Sequence, residues 1–260
     1  MNDTSTAEFL RGLQKAAETF ARAGGDSTLD YFRKTYDLEF KPDQSPVTTA
    51  DRQAERIIRE AIHGQFPGHG IIGEEYGMEG EERDIVWVID PIDGTQSFIH
   101  GVPFYTTLIG ILVHGVPEVG VIYAPALKEM VTASTGSGAF LNGEPCRTRI
   151  CNELKQATFL TTDVDHIREQ NFSVPYEELL QETNIHRTWG DAYGHLMVAT
   201  GRADLMFDPV LKIWDAAALL PVVTEAGGLF TDIHGVVTID SGNALSCAAG
   251  IHTAVLEAFN

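Results

Sequence analysis

Apolar side chains recur at Phe9, Leu10, Leu13, Ala16, Ala17 and Phe20, the spacing of one buried helix face within residues 7–34. Gly24-Gly25 interrupts the stripe, and Asp26 or Ser27 can cap a resumption through Leu29, Tyr31 and Phe32, so one helix and two are both open. After the turn-rich Lys41-Pro42-Asp43-Gln44-Ser45-Pro46, Thr48 or Thr49 caps a helix with buried face Ala54, Ile57, Ile58, Ala61 and Ile62. Pro67-Gly68-His69-Gly70 ends it. The period then shortens to that of strands, at Ile71-Ile72, Ile85–Ile89, Tyr105–Val113, Val119–Tyr123 and Met130–Ala133. Asn142-Gly143 predicts a tight hairpin turn.

The rhythm changes near residue 150. Strands at Ala157–Leu160, Ile185, Ala203–Phe207 and Leu245–Ala249 alternate with helices starting near Tyr176, Asp191, Ile213 and Ile251. Gly190-Asp191 reads as a turn plus cap, and Gly227-Gly228 as a helix stop. The pattern divides the chain into a strand-rich half with packed helices, residues 1–148, and an α/β half, residues 149–260.

Against this framework three acidic features stand out. Asp90-Pro91-Ile92-Asp93-Gly94-Thr95 follows the apolar strand Ile85–Ile89, Glu74-Glu75 follows Ile71-Ile72-Gly73, and Asp215 follows Trp214 at the head of an apolar helix. Each alone has a plain reading: a turn after a strand, a solvated acidic pair, a dipole-complementing residue in a first helical turn. Together they gather oxygen donors at strand ends and a helix start, which suits a hard cation such as Mg²⁺. Asp90 can bridge two cations, with Glu74 and the Ile92 carbonyl on one and Asp93 and Asp215 on the other. Two such ions about 3.5–4 Å apart can clamp an in-line phosphoryl transfer to water. Trp214 reads as core filler.

Composition narrows the partners. The 260 residues carry 37 acidic and 18 basic side chains, a formal net charge of −19, which disfavours nucleic acid and anionic membrane. Cations would be needed to hold an anionic ester near such a surface. Cys146, Cys151 and Cys247 show no paired spacing and read as reduced thiols. No apolar run reaches the ~18 residues of a membrane span, and Met1-Asn2-Asp3-Thr4 does not begin a secretory signal, so a cytoplasmic location is expected.

The motifs Gly73-Glu74-Glu75, Asp90-Pro91-Ile92-Asp93-Gly94-Thr95, Trp214-Asp215-Ala216-Ala217 ahead of Glu225-Ala226-Gly227-Gly228, and Ser45-Pro46-Val47-Thr48-Thr49-Ala50-Asp51 resemble the inositol monophosphatase superfamily of Mg²⁺-dependent, lithium-sensitive phosphatases. The resemblance implies an α+β fold, a layered α-β-α-β-α sandwich of the inositol monophosphatase / fructose-1,6-bisphosphatase type, assembled as a homodimer. It implies two or three Mg²⁺ per active site: Glu74, Asp90 and the Ile92 carbonyl on the first, Asp90, Asp93 and Asp215 on the second, and Glu75 and Asp51 around a further ion through waters. Glu74, Thr95 and Asp51 are the catalytic residues it implies, Thr95 and Asp51 positioning the attacking water. Gly94 and Thr95 would meet the phosphate through backbone groups.

Within the superfamily, Arg187-Thr188-Trp189-Gly190-Asp191-Ala192-Tyr193-Gly194-His195, Lys41-Pro42-Asp43 and Phe207-Asp208-Pro209 resemble the branch that acts on L-histidinol phosphate. Asp191 and Asp208 can pair with its ammonium group or accept an imidazole N–H, and Asp191 can equally be a helix cap. Arg187 can reach the pocket, a dimer partner or a structural ion pair. His195 reads as packed or pocket-lining, His100 as a loop residue, and Trp189 and Tyr193 as core, interface or stacking residues. The alternatives are an inositol-1-phosphate or broad sugar-phosphate phosphatase, then a nucleotide 3′-phosphatase. A protein that keeps the fold without catalysis would lack a carboxylate of the cation set, and none is missing.

Overall fold

The N-terminal stripe folds as one helix, α1 (Asp3–Thr28), which runs through Gly24-Gly25 instead of stopping there. The two glycines serve packing: a Cβ at Gly24 would lie 2.6 Å from the Ile58 side chain, and one at Gly25 2.7 Å from the Tyr123 ring. The structure is a computed structural model that describes residues 3–34, 38–40 and 46–259. The Lys41-Pro42-Asp43-Gln44-Ser45 segment lies outside the described residues. Strands β1 (Leu38–Phe40) and β2 (Pro46–Thr48) pair antiparallel, and α2 (Thr49–Gln65) follows. Thr48 is its N-cap, in a reciprocal capping box with Asp51. The helix buries Ala54, Ile58 and Ile62 as expected but leaves Ile57 and Ala61 half-buried. It buries Glu55 and Arg59 as a pair, with Arg59 Nε donating to Glu55 Oε1 at 2.7 Å.

The strand-rich stretch comprises β3 (Gly70–Gly73), β4 (Gly77–Glu79), β5 (Ile85–Asp93), β6 (Thr106–Val113), β7 (Val116–Ala124), β8 (Glu129–Ser134), β9 (Ala139–Leu141) and β10 (Glu144–Cys146). A short helix, α3 (Thr95–Ile99), lies between β5 and β6. The strands form one sheet in the order β10-β9-β8-β7-β6-β5-β3-β4. Asn142 and Gly143, both at positive φ, turn β9 into β10 as the Asn-Gly pair predicts. Among the described residues of this sheet only the β3–β5 pair is parallel, so the chain leaves both strands at the same end of the sheet.

The second half contributes β11 (Thr158–Thr161), α4 (Val164–Glu169), α5 (Ser173–Glu182), β12 (Ile185–Arg187), α6 (Asp191–Ala199), β13 (Leu205–Asp208), α7 (Ile213–Glu225), β14 (Gly228–Thr231), β15 (Ala244–Ala248) and α8 (His252–Glu257). Its sheet has the order β12-β11-β13-β15-β14, with β14 an addition where the sequence marks only a helix stop. Helices α1 and α2 cover the outer face of the first sheet through Leu13, Phe20 and Ile58, which pack with Trp87 of β5. Helices α6 and α7 fill the space between the sheets, where Leu196, Leu219 and Val222 meet Leu108, Ile122 and Met206. Helices α4, α5 and α8 cover the far face through Ile167, Leu179 and Val255. The result is the expected α-β-α-β-α sandwich. No helix among the described residues is long and apolar enough to cross a membrane.

Helix α7 rests directly on the first sheet because two facing strand residues lack side chains. A Cβ at Gly110 would lie 2.7 Å from the Ala217 carbonyl carbon, and one at Gly120 2.1 Å from the Ala218 carbonyl oxygen. Both obstacles are backbone, which cannot swing aside. Gly120→Ala is therefore expected to destabilise the fold by about 3 kcal/mol, measured by urea denaturation.

Candidate active site

Residues three apart on a regular strand point to opposite faces. Asp90 and Asp93 escape this rule because β5 bulges between them: Asp90 pairs with Leu108 and Asp93 with Thr106, three steps against two. Pro91 and Ile92 supply the irregularity, and Thr107 Oγ1 pins it by donating to the Pro91 carbonyl at 2.8 Å. The bulge re-aims both carboxylates toward one point. Helix α7, seated on the glycines, delivers Asp215 from its first turn to the same place. Ligand oxygens of Asp90, Asp93 and Asp215 lie within 4.8 Å of one another.

The parallel β3–β5 pairing brings in Glu74, whose amide donates to the Ile89 carbonyl at 3.2 Å. Its carboxylate raises the proton affinity of Asp90, Asp51 and Asp215. The turn after β3 is held from behind by Glu55, which accepts from the amides of Glu75 (2.7 Å) and Tyr76 (3.2 Å). Glu55 escaped the sequence reading because it falls beside the apolar stripe of α2, where an acidic residue looks solvent-facing. Asp51 is also buried, with Oδ2 accepting from Thr48 N (2.7 Å) and Thr48 Oγ1 (2.5 Å). Ile92 anchors the loop as a buried side chain, and its carbonyl accepts from Thr95 Oγ1 at 3.0 Å. Gly94 sits at φ +79°, and a Cβ there would lie 2.8 Å from Asp191 Oδ2. Trp214 packs on Ile72, Val86, Val88, Leu112 and Ala217, as core filler should.

Burial is the largest cause of the high proton affinity of these groups, and mutual repulsion adds to it. Asp90 is pushed well above the usual carboxylate range by desolvation and then by Glu74, Asp93 and Asp215. Asp93 is pushed up by burial and Asp215, partly relieved by the Ala192 amide, which donates to its Oδ2 at 2.7 Å. Burial lifts Asp215 to about 7 and Asp51 to about 6. Asp90 Oδ1 is buried with no hydrogen-bond partner. An all-oxygen donor set, mutual repulsion and an orphaned buried carboxylate oxygen fit a divalent cation.

Beside the cluster opens a cleft of about 660 Å³, lined by Asp93, Ser97, Thr162, Trp189, Asp191 and Asp208 among others. Asp191 adopts φ +52° at the start of α6, and its side chain makes no cap; Oδ2 instead accepts from Ser97 Oγ at 3.4 Å. Burial, then Asp93 and Asp208, raise its carboxyl well above the usual range. Thr162, which the sequence did not mark, ties the two acids together. Its Oγ1 accepts from the Asp191 amide at 2.7 Å and donates to Asp208 Oδ2 at 3.3 Å. Arg187 does not line the cleft; its guanidinium lies 5.9 Å over the Trp189 ring, which does. Tyr193 stacks on Phe104, and His100 is exposed beside the Gln96 carbonyl. His195 is buried between the sheets.

The sequence profile of the inositol monophosphatase family matches residues 9–260. The chain belongs to the inositol monophosphatase family. Membership and the carboxylate cluster together make it a metal-dependent phosphate-monoester hydrolase. A protein of Chlorobaculum parvum named histidinol-phosphatase is 42% identical over 237 residues, covering 91% of each chain. Among solved structures, the extragenic suppressor protein suhB from Bartonella henselae aligns with a TM-score of 0.90 at 29% identity, covering 96% of this chain and 98% of that one. An inositol monophosphatase from Anabaena aligns at 0.86 and 30% identity, covering 96% of both.

The raised carboxyls set the sign of a pH effect. Each titrates higher folded than unfolded, so the cation-free folded chain binds the extra protons. Stability from this source is complete at low pH and is lost as pH rises from the unfolded value of 3.8 through about 7 for Asp215. In chelator, Tm is expected to fall between about pH 5 and about pH 8, and a divalent cation added at the higher pH should restore it. Differential scanning fluorimetry checks this; a Tm that climbs with pH in chelator would contradict it.

Proposed function

We propose that this member of the family hydrolyses L-histidinol phosphate to L-histidinol and inorganic phosphate. The observation that carries the reading is the pair of acids Asp191 and Asp208 lining the cleft beside the cation cluster, with Thr162 Oγ1 joining the Asp191 backbone amide to the Asp208 carboxylate. Paired acids facing a leaving group favour one that carries an ammonium and an imidazole, through charge-assisted hydrogen bonds. The resemblance to the Chlorobaculum protein named histidinol-phosphatase supports the same substrate. Trp189 adds a half-exposed aromatic face for the imidazole, with Arg187 acting through that ring. The same carboxylates accept hydroxyl protons, so inositol 1-phosphate or a sugar phosphate is the second reading, favoured by the likeness to the Anabaena enzyme.

In this reading Glu74, Asp90 and the Ile92 carbonyl would hold one Mg²⁺, and Asp90, Asp93 and Asp215 a second, with Glu75 and Asp51 around a third. Cations bound there would supply neutralisation of the ester's charge and a more acidic water. Asp51, buried with its Oδ2 fixed by Thr48 N and Thr48 Oγ1, would help position the attacking water. Thr95 commits its proton to the Ile92 carbonyl, which leaves its oxygen lone pairs to accept from the same water. The Gly94 and Thr95 amides meet the phosphate. Residues 1–148 then supply most of the cation site, and residues 149–260 supply Asp215 and most of the leaving-group cleft. The chain works as a homodimer in the cytoplasm.

Asp90→Asn is expected to lower kcat by at least about 10³-fold while raising Tm in chelator, because it removes both a bridging ligand and an uncompensated buried charge. Near-wild-type turnover would overturn the cation roles. Asp191→Ala is expected to reduce kcat/KM roughly tenfold or more for histidinol phosphate and less for inositol 1-phosphate. Steady-state assays of both esters with Mg²⁺ decide it; equal losses would favour the second reading.

A further inference from the structure

One imidazole in the protein interior faces the cleft from behind. His195, on α6, is wholly buried and does not line the cleft. Its Nδ1 lies 2.6 Å from Ser246 Oγ on β15. Its Nε2 is buried with no hydrogen-bond partner and lies 3.9 Å from Asp208 Oδ2. A polar ring nitrogen sealed between two sheets ordinarily has a partner, and the group facing this one is a carboxylate of the cleft.

We propose that His195 is a positioning residue for Asp208, fixing the orientation of that carboxylate toward the leaving group; the proposal rests on the reading that Asp208 meets the leaving group. An ionised carboxylate can only accept, so the proton sits on Nε2 and points at Oδ2. Nδ1 then accepts from the Ser246 hydroxyl, which selects the tautomer and sets the ring plane. Thr162 Oγ1 donates to the same oxygen, Oδ2, from the other half of the linkage. With Oδ2 directed to Thr162 and His195, Oδ1 is the oxygen left to accept from a polar group of the ester. Ser246 pairs with Met206 in the β13–β15 ladder, two residues before Asp208, so the strut and the carboxylate ride on neighbouring strands and stay in register.

The test is a double-mutant cycle on the Mg²⁺-loaded enzyme with His195→Phe, Asp208→Ala and the pair. It is read as kcat and KM for histidinol phosphate, inositol 1-phosphate and para-nitrophenyl phosphate, whose ring has no hydrogen-bond donor for Asp208. His195→Phe keeps the ring volume and removes the donor. It should lower kcat/KM for the better polar ester roughly tenfold, mainly through KM, and should cost several times less with para-nitrophenyl phosphate. In the Asp208→Ala background the same change should cost nothing further. His195→Gln, whose amide N–H reaches toward the same place, should recover part of the loss. Equal losses for all three esters, or the full loss persisting without Asp208, would overturn the proposal and leave His195 a packing residue. If His195→Phe does not fold, Ser246→Ala takes its place in the cycle with the same two criteria. A wild-type enzyme that prefers inositol 1-phosphate defeats the histidinol reading alone, because the cycle is then read on that ester.

Discussion

Repulsion among carboxylates that the fold refuses to separate is the constraint on which the rest of this structure depends. Asp90, Asp93 and Asp215 come from the end of one strand and the start of a distant helix, yet their oxygens lie within 4.8 Å. A sequence free to relax would turn these side chains to water. Here the β5 bulge, the two glycines beneath α7 and the β3–β5 parallel pair remove that freedom. What the native state lacks in internal charge compensation it gains as affinity for a divalent cation.

The layered architecture explains how such a cluster is held. Strand ends of both sheets reach the cleft, β5 with Asp93 and β13 with Asp208, and α6 and α7 lie between the sheets with apolar flanks on each side. The first turn of α7 carries Asp215, with Oδ2 accepting from the Lys212 amide at 2.7 Å. The first residue of α6 carries Asp191, in a left-handed conformation that turns the carboxylate away from its own helix. Backbone strain of this kind is tolerated where surrounding contacts overdetermine the position. The Thr162 hydroxyl on the Asp191 amide and the Ala192 amide on Asp93 are two such contacts.

Much of this was legible in the chain because the chemistry sits where apolar runs end. Glu74 and Asp90 each follow a buried segment and Asp215 precedes one, and hydrophobic periodicity marks those segments well. The central hexapeptide carried family-specific information beyond its turn chemistry. Other parts were hidden for one reason: their meaning arises only from segments far apart in sequence. Gly24-Gly25 looks like a helix break until Ile58 and Tyr123 stand against it. Glu55 reads as a solvent-facing acid until the Glu75 and Tyr76 amides turn toward it. Thr162 is an ordinary residue after a strand until Asp191 and Asp208 arrive on either side. Arg187 looked able to reach the pocket, yet on edge strand β12 it lies against Trp189.

The hydrogen bond from the Ala192 amide to Asp93 Oδ2 has an evolutionary consequence. The loop that lines the cleft at residues 189–191 and the turn that carries Asp93 of the carboxylate cluster are joined through one peptide group. Remodelling residues 189–191 to accept a different alcohol thus cannot be done in isolation. Any inserted or deleted residue there would shift the amide and slacken a carboxylate of the cation cluster, so diversification is steered toward side-chain exchange on a backbone of unchanged length.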